Sequence, residues 1–261
     1  MPEQILAGKT CLVTGGGGGL GKAIATQFLE AGASVVICDV NEERLQKTSA
    51  ELSSKGPLKA IKTDITKTNE VENLFETLIG EFGKIDVLVN NAGIMDHFDP
   101  IGDLDMEFWD RVMAINLTAP ALLSKLAVRN MLAQPKPDGR IINIVSVAGK
   151  AGWAGGAAYT TSKHGLVGLT KNIAAYYGNK GIKCNALMMG GMETNIVDAF
   201  SAGMHMEGYE KMINVYDSIQ APYVDVNEAA GFCVNMTYGK GAGQINGATI
   251  AIDNGWSSVV G

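Results

Sequence analysis

The stretch Lys9-Thr10-Cys11-Leu12-Val13-Thr14-Gly15-Gly16-Gly17-Gly18-Gly19-Leu20-Gly21-Lys22-Ala23-Ile24-Ala25 decides the fold. Residues 9–14 form a short β-prone run, five glycines break it, and a helical pattern begins at Leu20. Strand, glycine turn and helix in that order suit phosphate binding. The glycines permit a tight turn and let a pyrophosphate approach backbone N–H groups at the positive end of the helix. A glycine cluster alone is equally a flexible loop, so its surroundings decide. The next apolar run, residues 34–38, ends in Asp39, about 20 residues past the turn, where a carboxylate accepts hydrogen bonds from ribose hydroxyls. A carboxylate there would also repel a 2′-phosphate, and the nearest cation, Arg44, lies a turn into the following helix. The pattern therefore predicts NAD rather than NADP.

Outward from this unit the chain alternates. Residues 41–55 read as a surface helix, with Asn41 as N-cap and Glu42 and Glu43 in its first turn. Residues 58–62 form a third strand, followed by Asp64, and residues 68–82 a helix whose stripe is Val71, Leu74, Phe75, Leu78 and Phe82. The fourth strand, residues 86–89, is nearly all apolar, as expected of a strand covered on both faces. Such alternation predicts an α/β fold: a Rossmann-like, doubly wound parallel sheet of about seven strands with helices on both faces and a ligand at the carboxyl ends of the strands. Asn90-Asn91-Ala92-Gly93 closes the fourth strand with residues small enough for a cofactor to pass. Residues 105–131 are amphipathic, contain Asn116, and should kink or break near Pro120. Residues 139–145 give a fifth strand ending at Ser146, on the same carboxyl edge as Asp39, Asp64 and Asn90, and residues 183–187 a sixth.

A second motif is Tyr159-Thr160-Thr161-Ser162-Lys163, which opens a helix-periodic segment. Residues four apart share a helix face, so the lysine ammonium should lie beside the phenol. A phenol titrates near about pH 10, and a lysine about 4 Å away contributes on the order of 4 kcal/mol at an effective dielectric of 20, with burial opposing it. Those magnitudes predict a tyrosine that exchanges a proton near neutrality without a metal.

Composition narrows the partners. The 261 residues are 46% hydrophobic and 18% charged, which suits one compact domain spanning residues 1–261. A net charge of −6 with no run of Lys or Arg argues against nucleic acid and anionic membrane surfaces and for a small-molecule substrate. Cys11, Cys38, Cys184 and Cys233 lie in apolar runs without CxxC spacing or nearby histidines, and read as buried free thiols in a reducing compartment. The three histidines have no metal-site spacing; His97 reads as an incidental loop residue, His164 as packing, and His205 has no evident partner. Neither a leader segment nor 18 consecutive apolar residues is visible, so a soluble, cytoplasmic protein is expected.

Together these residues resemble the compact, single-domain branch of the short-chain dehydrogenase/reductase family over essentially the whole chain. Thr14-Gly15 with Gly19 and Gly21, Asp39, Asp64, Asn90-Asn91-Ala92-Gly93, Asn116, Ser146, Tyr159 with Lys163, Gly190 with Thr194, and Asp253-Asn254-Gly255 occur in the family's order and spacing. The resemblance implies an NAD-dependent oxidoreductase acting on a secondary alcohol or ketone, with Tyr159 as acid/base, Lys163 lowering its pKa and holding the nicotinamide ribose, and Ser146 bonding the reacting oxygen. Asn116 would shape the kinked helix so that a water connects Lys163 to solvent. It implies NAD contacts from Gly15, Gly19, Leu20, Gly21, Asp39, Asp64, Ile65, Asn91, Ala92, Gly93, Tyr159, Lys163, Gly190 and Thr194, no metal, and a homo-oligomer, tetramer or dimer. A lyase or epimerase can use the same Tyr/Lys pair, though such relatives generally run longer. A silent nucleotide-binding member acting as an interaction module would be expected to lose Ser146, Tyr159, Lys163 or Asn116.

The chain departs from the family pattern at Met189-Gly190-Gly191, where a proline usually precedes the glycine. A looser turn toward Thr194 is expected from that change. Substrate selection should lie in the loop at residues 94–103 and in an insertion at about residues 191–224. These segments carry Met95, Phe98, Met192, Met204, Met206, Tyr209, Tyr216 and Tyr223, and their basic residue is Lys211. That composition predicts a neutral, fairly apolar substrate.

Overall fold

The structure is a computed structural model that describes residues 4–194 and 203–259. Seven parallel strands form one sheet in the order β3-β2-β1-β4-β5-β6-β7. They are β1 (Thr10–Thr14), β2 (Ser34–Asp39), β3 (Leu58–Lys62), β4 (Val87–Asn90), β5 (Gly139–Ser146), β6 (Ile182–Met189) and β7 (Thr249–Ile252). The helices between them are α1 (Gly19–Glu30), α2 (Glu42–Leu52), α3 (Thr68–Phe82), α4 (Met106–Met113), α5 (Ala119–Leu132), α6 (Ala157–Tyr177), α7 (Met206–Ile219), α8 (Val226–Tyr238) and the short α9 (Trp256–Val259).

Alternation within the strands assigns the two covered faces. Cys11, Val13, Val35, Ile37, Val87 and Val89 pack against α1, α2 and α8, whereas Leu12, Val36, Cys38 and Leu88 pack against α3, α5 and α6. Because successive side chains point to opposite faces, an unbroken apolar strand is what a doubly covered sheet requires. All four cysteines are buried and free.

Strand order reverses between β1 and β4, which opens a crevice at their carboxyl ends. The long helical stretch behind β4 does not break at Pro120. It runs from α4 through a π-helical segment, Ala114–Thr118, into α5, with Pro120 in the first turn of α5. Proline removes the N–H that would bond the carbonyl of Asn116, and a widened turn just before it accommodates the loss. The stretch Met106–Leu132 is long and apolar enough to cross a membrane, but Val112, Asn116, Leu123, Ala127, Val128 and Met131 are buried, and its α5 part packs in the core beside α3 and α6.

Candidate active site

At the crevice the glycines are explained by close approach. Gly15 and Gly19 adopt φ of 65° and 49°, and a Cβ on Gly15 would lie 3.0 Å from the Ala92 Cα. A Cβ on Gly21 would strike the Gly15 carbonyl. Gly17 is clamped at both ends: its N–H donates to Asp39 Oδ2 (3.0 Å), and its carbonyl accepts from the buried Thr48 hydroxyl (2.9 Å). The other Asp39 oxygen accepts the Asn41 N–H at 2.9 Å, so the carboxylate is fixed beside the turn. Asn41 is indeed the N-cap of α2, accepting from the Arg44 N–H.

Asn91 joins β1 to β4. Its side chain donates to the Thr14 carbonyl (2.9 Å), and the N–H groups of Asn91 and Ala92 both donate to the Thr14 hydroxyl (3.0 Å). Leu20 is buried and holds α1 on the sheet. At the end of β3, partial burial would raise the Asp64 pKa, but hydrogen bonds from the Thr66 hydroxyl and N–H outweigh it and hold the carboxyl below its ordinary range. Ile65 is buried in the apolar cluster beneath α3.

These residues fit a nicotinamide dinucleotide. Gly18 is the N-cap of α1 and offers no side chain to its N–H groups, the turn in front of it has no Cβ to fill the approach, and a fixed carboxylate stands at the end of β2.

The second group meets at β5 and α6. Ser146, at the end of β5, faces Tyr159 of α6 on the carboxyl side of the sheet, near enough for its hydroxyl to lower the phenol's pKa. Lys163, 4% exposed, donates to the Ile144 carbonyl at 3.2 Å and stands 5.4 Å from the centre of the Tyr159 ring. A Cβ on Gly93 would lie 3.2 Å from Asn116 Oδ1 and 3.4 Å from Lys163 Nζ, so all three converge. Asn116 exchanges two hydrogen bonds of 2.9 Å with the Ile94 backbone and donates to Ser162, whose hydroxyl bonds the Tyr159 carbonyl at 2.7 Å.

One electrostatic expectation is reversed. Burial pushes the Tyr159 pKa up to about 12, with Ser146 opposing and Asp96 adding to the rise. Burial also pulls Lys163 down to about 8. Desolvation of the phenolate sets the direction, so in the protein itself Tyr159 is a firmly protonated phenol at neutral pH.

The turn at Met189-Gly190-Gly191 is tied rather than loose. Gly190 N–H donates to the Ile252 carbonyl (2.9 Å), and Gly191 carbonyl accepts the Val224 N–H (2.8 Å). A Cβ on Gly191 would lie 2.7 Å from the Tyr223 ring, so the second glycine makes room for that aromatic. Thr194 is half-buried; residues 195–202 of the expected insertion lie outside the described residues. Around Tyr159, Met95, Phe98 and Trp256 are buried in one cluster with Trp153, Met204, Tyr209 and Tyr216 packed on it. Met206 and Tyr223 are instead exposed.

The histidines differ from expectation. His164 is exposed, with Nδ1 2.9 Å from the Thr160 carbonyl, rather than packed. His205 caps α7 and pairs with Asp103 at 3.3 Å, and His97 stacks on Phe108 at 4.2 Å. Among the described residues no group of His, Cys, Asp and Glu is placed to hold a metal. Sequence reasoning missed Thr48, Trp153, Trp256 and Asp96, whose partners lie far away along the chain.

The sequence family described as short chain dehydrogenase matches residues 9–205. A short chain dehydrogenase/reductase, dpchG, from Colletotrichum higginsianum is 56% identical over 98% of this chain and 96% of its own. The 3beta-hydroxysteroid dehydrogenase 2 of Eggerthella lenta is 39% identical over 98% of this chain and 97% of its own. Among solved structures, one described as an NAD(P)-dependent gluconate 5-dehydrogenase from Beutenbergia cavernae, with NADP bound at low occupancy, superposes with a TM-score of 0.83 at 31% identity. It covers 97% of this chain and 98% of its own.

Proposed function

Because the chain belongs to the short-chain dehydrogenase/reductase family, we propose that it is an NAD-dependent oxidoreductase interconverting a secondary alcohol and a ketone, with Tyr159 as the acid/base. The observation that carries this reading is the convergence of Ser146, Tyr159 and the buried Lys163 at the carboxyl edge of the sheet. A nicotinamide dinucleotide, when bound, supplies or accepts the hydride. Gly15, Gly19 and Gly21 at the head of α1, Asp39, Asp64, the segment from Asn91 to Gly93, and Gly190 with Thr194 would hold it.

What remains for the protein is orientation and one proton. In reduction, Ser146 donates to the substrate carbonyl oxygen and Tyr159, protonated at neutral pH, delivers its proton to that oxygen. In oxidation the same phenol receives the proton of the alcohol. Asn116 braces the segment in which Lys163 and Tyr159 stand.

NAD is preferred in this reading because the Asp39 carboxylate is held by two backbone N–H groups and cannot swing aside for a 2′-phosphate. A neutral, fairly apolar substrate is supported by the wall of Met95, Phe98, Trp153 and Tyr216 and by the hydroxysteroid that the relative from Eggerthella lenta takes by name. Cytoplasmic location and assembly as a homo-oligomer complete the proposal.

The test is a screen of neutral secondary alcohols and ketones with both nucleotides. Tyr159→Phe should lower kcat on the order of a thousandfold without loss of folding. NAD should exceed NADP in kcat/KM by about a hundredfold, and Asp39→Ser should narrow that ratio. Turnover unchanged in Tyr159→Phe would refute the acid/base role.

A further inference from the structure

Asp96 takes no part in the scheme above, yet its carboxylate is only 1% exposed. Backbone N–H groups occupy both oxygens: Oδ1 accepts from Phe98 (3.1 Å) and Gly156 (2.9 Å), Oδ2 from Tyr159 (2.8 Å). Gly156 is the N-cap of α6, so Tyr159 is the third residue of the helix. An N-cap side chain normally accepts the N–H of that third residue, and glycine has none to offer. A Cβ on Gly156 would lie 2.6 Å from Asp96 Oδ2, in the place the carboxylate occupies.

We infer that Asp96 is a positioning residue for Tyr159, capping the first turn of α6 from another element so that the phenol is held toward Ser146. The inference rests on the reading of Tyr159 as acid/base.

The loop that presents Asp96 is itself braced. Phe98 is buried at φ 64°, a left-handed conformation that a bulky residue adopts only when its surroundings hold it there. The Asp99 carbonyl accepts the Ala157 N–H (2.9 Å), adding a second tie to α6, and the His97 carbonyl accepts the His205 N–H (2.8 Å) at the start of α7. The three N–H donors favour the ionised form, whose two oxygens carry the full negative charge toward them. Burial raises the Asp96 pKa, the Tyr159, Gly156 and Phe98 N–H groups oppose that rise, and Asp99 adds to it. A negative charge at the positive end of α6 also favours the cap, and the same charge resists ionisation of Tyr159. The titratable groups on the surrounding elements are Tyr159 and Lys163 on α6, His97 and Asp99 on the loop, and His205 and Tyr209 on α7.

Asp96→Asn keeps the shape, removes the charge and turns an amide toward the Tyr159 N–H. In alcohol oxidation by the NAD-loaded enzyme, log kcat should rise with pH as the phenol loses its proton. Asp96→Asn should lower the plateau about tenfold and move the rising limb to lower pH by roughly half a unit. Its NAD dissociation constant, from nucleotide fluorescence, should stay within about twofold, because Asp96 bonds none of the residues at the glycine turn, Asp39, Asp64 or the segment from Asn91 to Gly93, and meets Tyr159 only through its backbone N–H. A limb that stays in place, or a plateau that falls only with the folded fraction, overturns the inference. If Asp96→Asn does not fold, Asp96→Glu keeps the charge while displacing it. That variant should lower the plateau and leave the limb in place, and an unchanged plateau overturns the inference. Wild-type turnover in Tyr159→Phe defeats the underlying reading instead. An inactive Tyr159→Phe beside an unmoved limb in Asp96→Asn defeats this inference alone.

Discussion

A lysine 4% exposed, with a backbone carbonyl as its acceptor, weakens the fold whatever it contributes to chemistry. Burial lowers the Lys163 pKa from 10.5 to about 8, so the charged form is disfavoured in the folded state. Below about pH 8 the ammonium is charged in both states and the penalty is complete; as pH rises from there toward 10.5 the folded chain sheds the charge first and stability recovers. Lys163→Met should therefore gain on the order of 1–3 kcal/mol at pH 7 while losing activity, and the gain should shrink by about pH 9.5. Urea unfolding at the two pH values checks this; a loss of equal size at both would mean that packing, not charge, governs the site. Helical spacing alone places Lys163 near Tyr159, but the sign of their pKa shifts depends on burial, which spacing does not contain. Asp96 was illegible for a related reason: no helix near it in sequence needs a cap, and the one it serves begins sixty residues later.

At the scale of elements, the π-helical segment Ala114–Thr118 shows what a local pattern conveys and what it leaves out. Pro120 signals a disturbed helix, yet the distortion falls before it, where Asn116 bonds the Ile94 backbone in both directions. Asn116→Ala should leave Ile94 without those partners and let the α4–α5 stretch move relative to α6. Stability should fall by about 1–3 kcal/mol, a cost typical of buried donors and acceptors left unpaired. Turnover should fall much further, about tenfold to a hundredfold, because Ser162 and the Tyr159 carbonyl are next in the chain of bonds. A variant that loses stability but keeps kcat would reduce Asn116 to a packing role. The Met189-Gly190-Gly191 turn teaches the complementary lesson. Without proline it reads as loose, but the bonds that tie it come from β7 and from Val224, two residues ahead of α8, which no local window includes.

Across the whole molecule, the alternation of strand and helix made the parallel sheet and the site's edge legible, because the apolar runs of the inner strands β1, β2 and β4 can satisfy only a doubly covered position. The opposite edge was not legible, since its charges are scattered along the chain. There Asp86 accepts the Thr10 N–H and pairs with Lys84 at 3.0 Å, Arg140 pairs with Asp138 at 2.8 Å, and Lys9 and Arg140 flank the Tyr238 ring. Arg140 is 7% exposed and also donates to the carbonyls of Thr237 and Gly139 (2.9 Å each), joining β5 to the end of α8. Removing Arg140 leaves the buried Thr237 and Gly139 carbonyls without their donor, while the half-exposed Asp138 is rehydrated, at a cost of about 2–3 kcal/mol. For a chain of this size that corresponds to roughly 5–10 °C in Tm. Yet β5 carries Arg140 and Ser146 at opposite ends, about 20 Å apart at the rise of a parallel strand. Arg140→Met should thus melt earlier while the folded fraction keeps wild-type kcat and KM at a temperature well below its Tm. If kcat falls in step with Tm, the two edges of the sheet are coupled, and the base of the fold takes part in setting the geometry of the Ser146–Tyr159 pair.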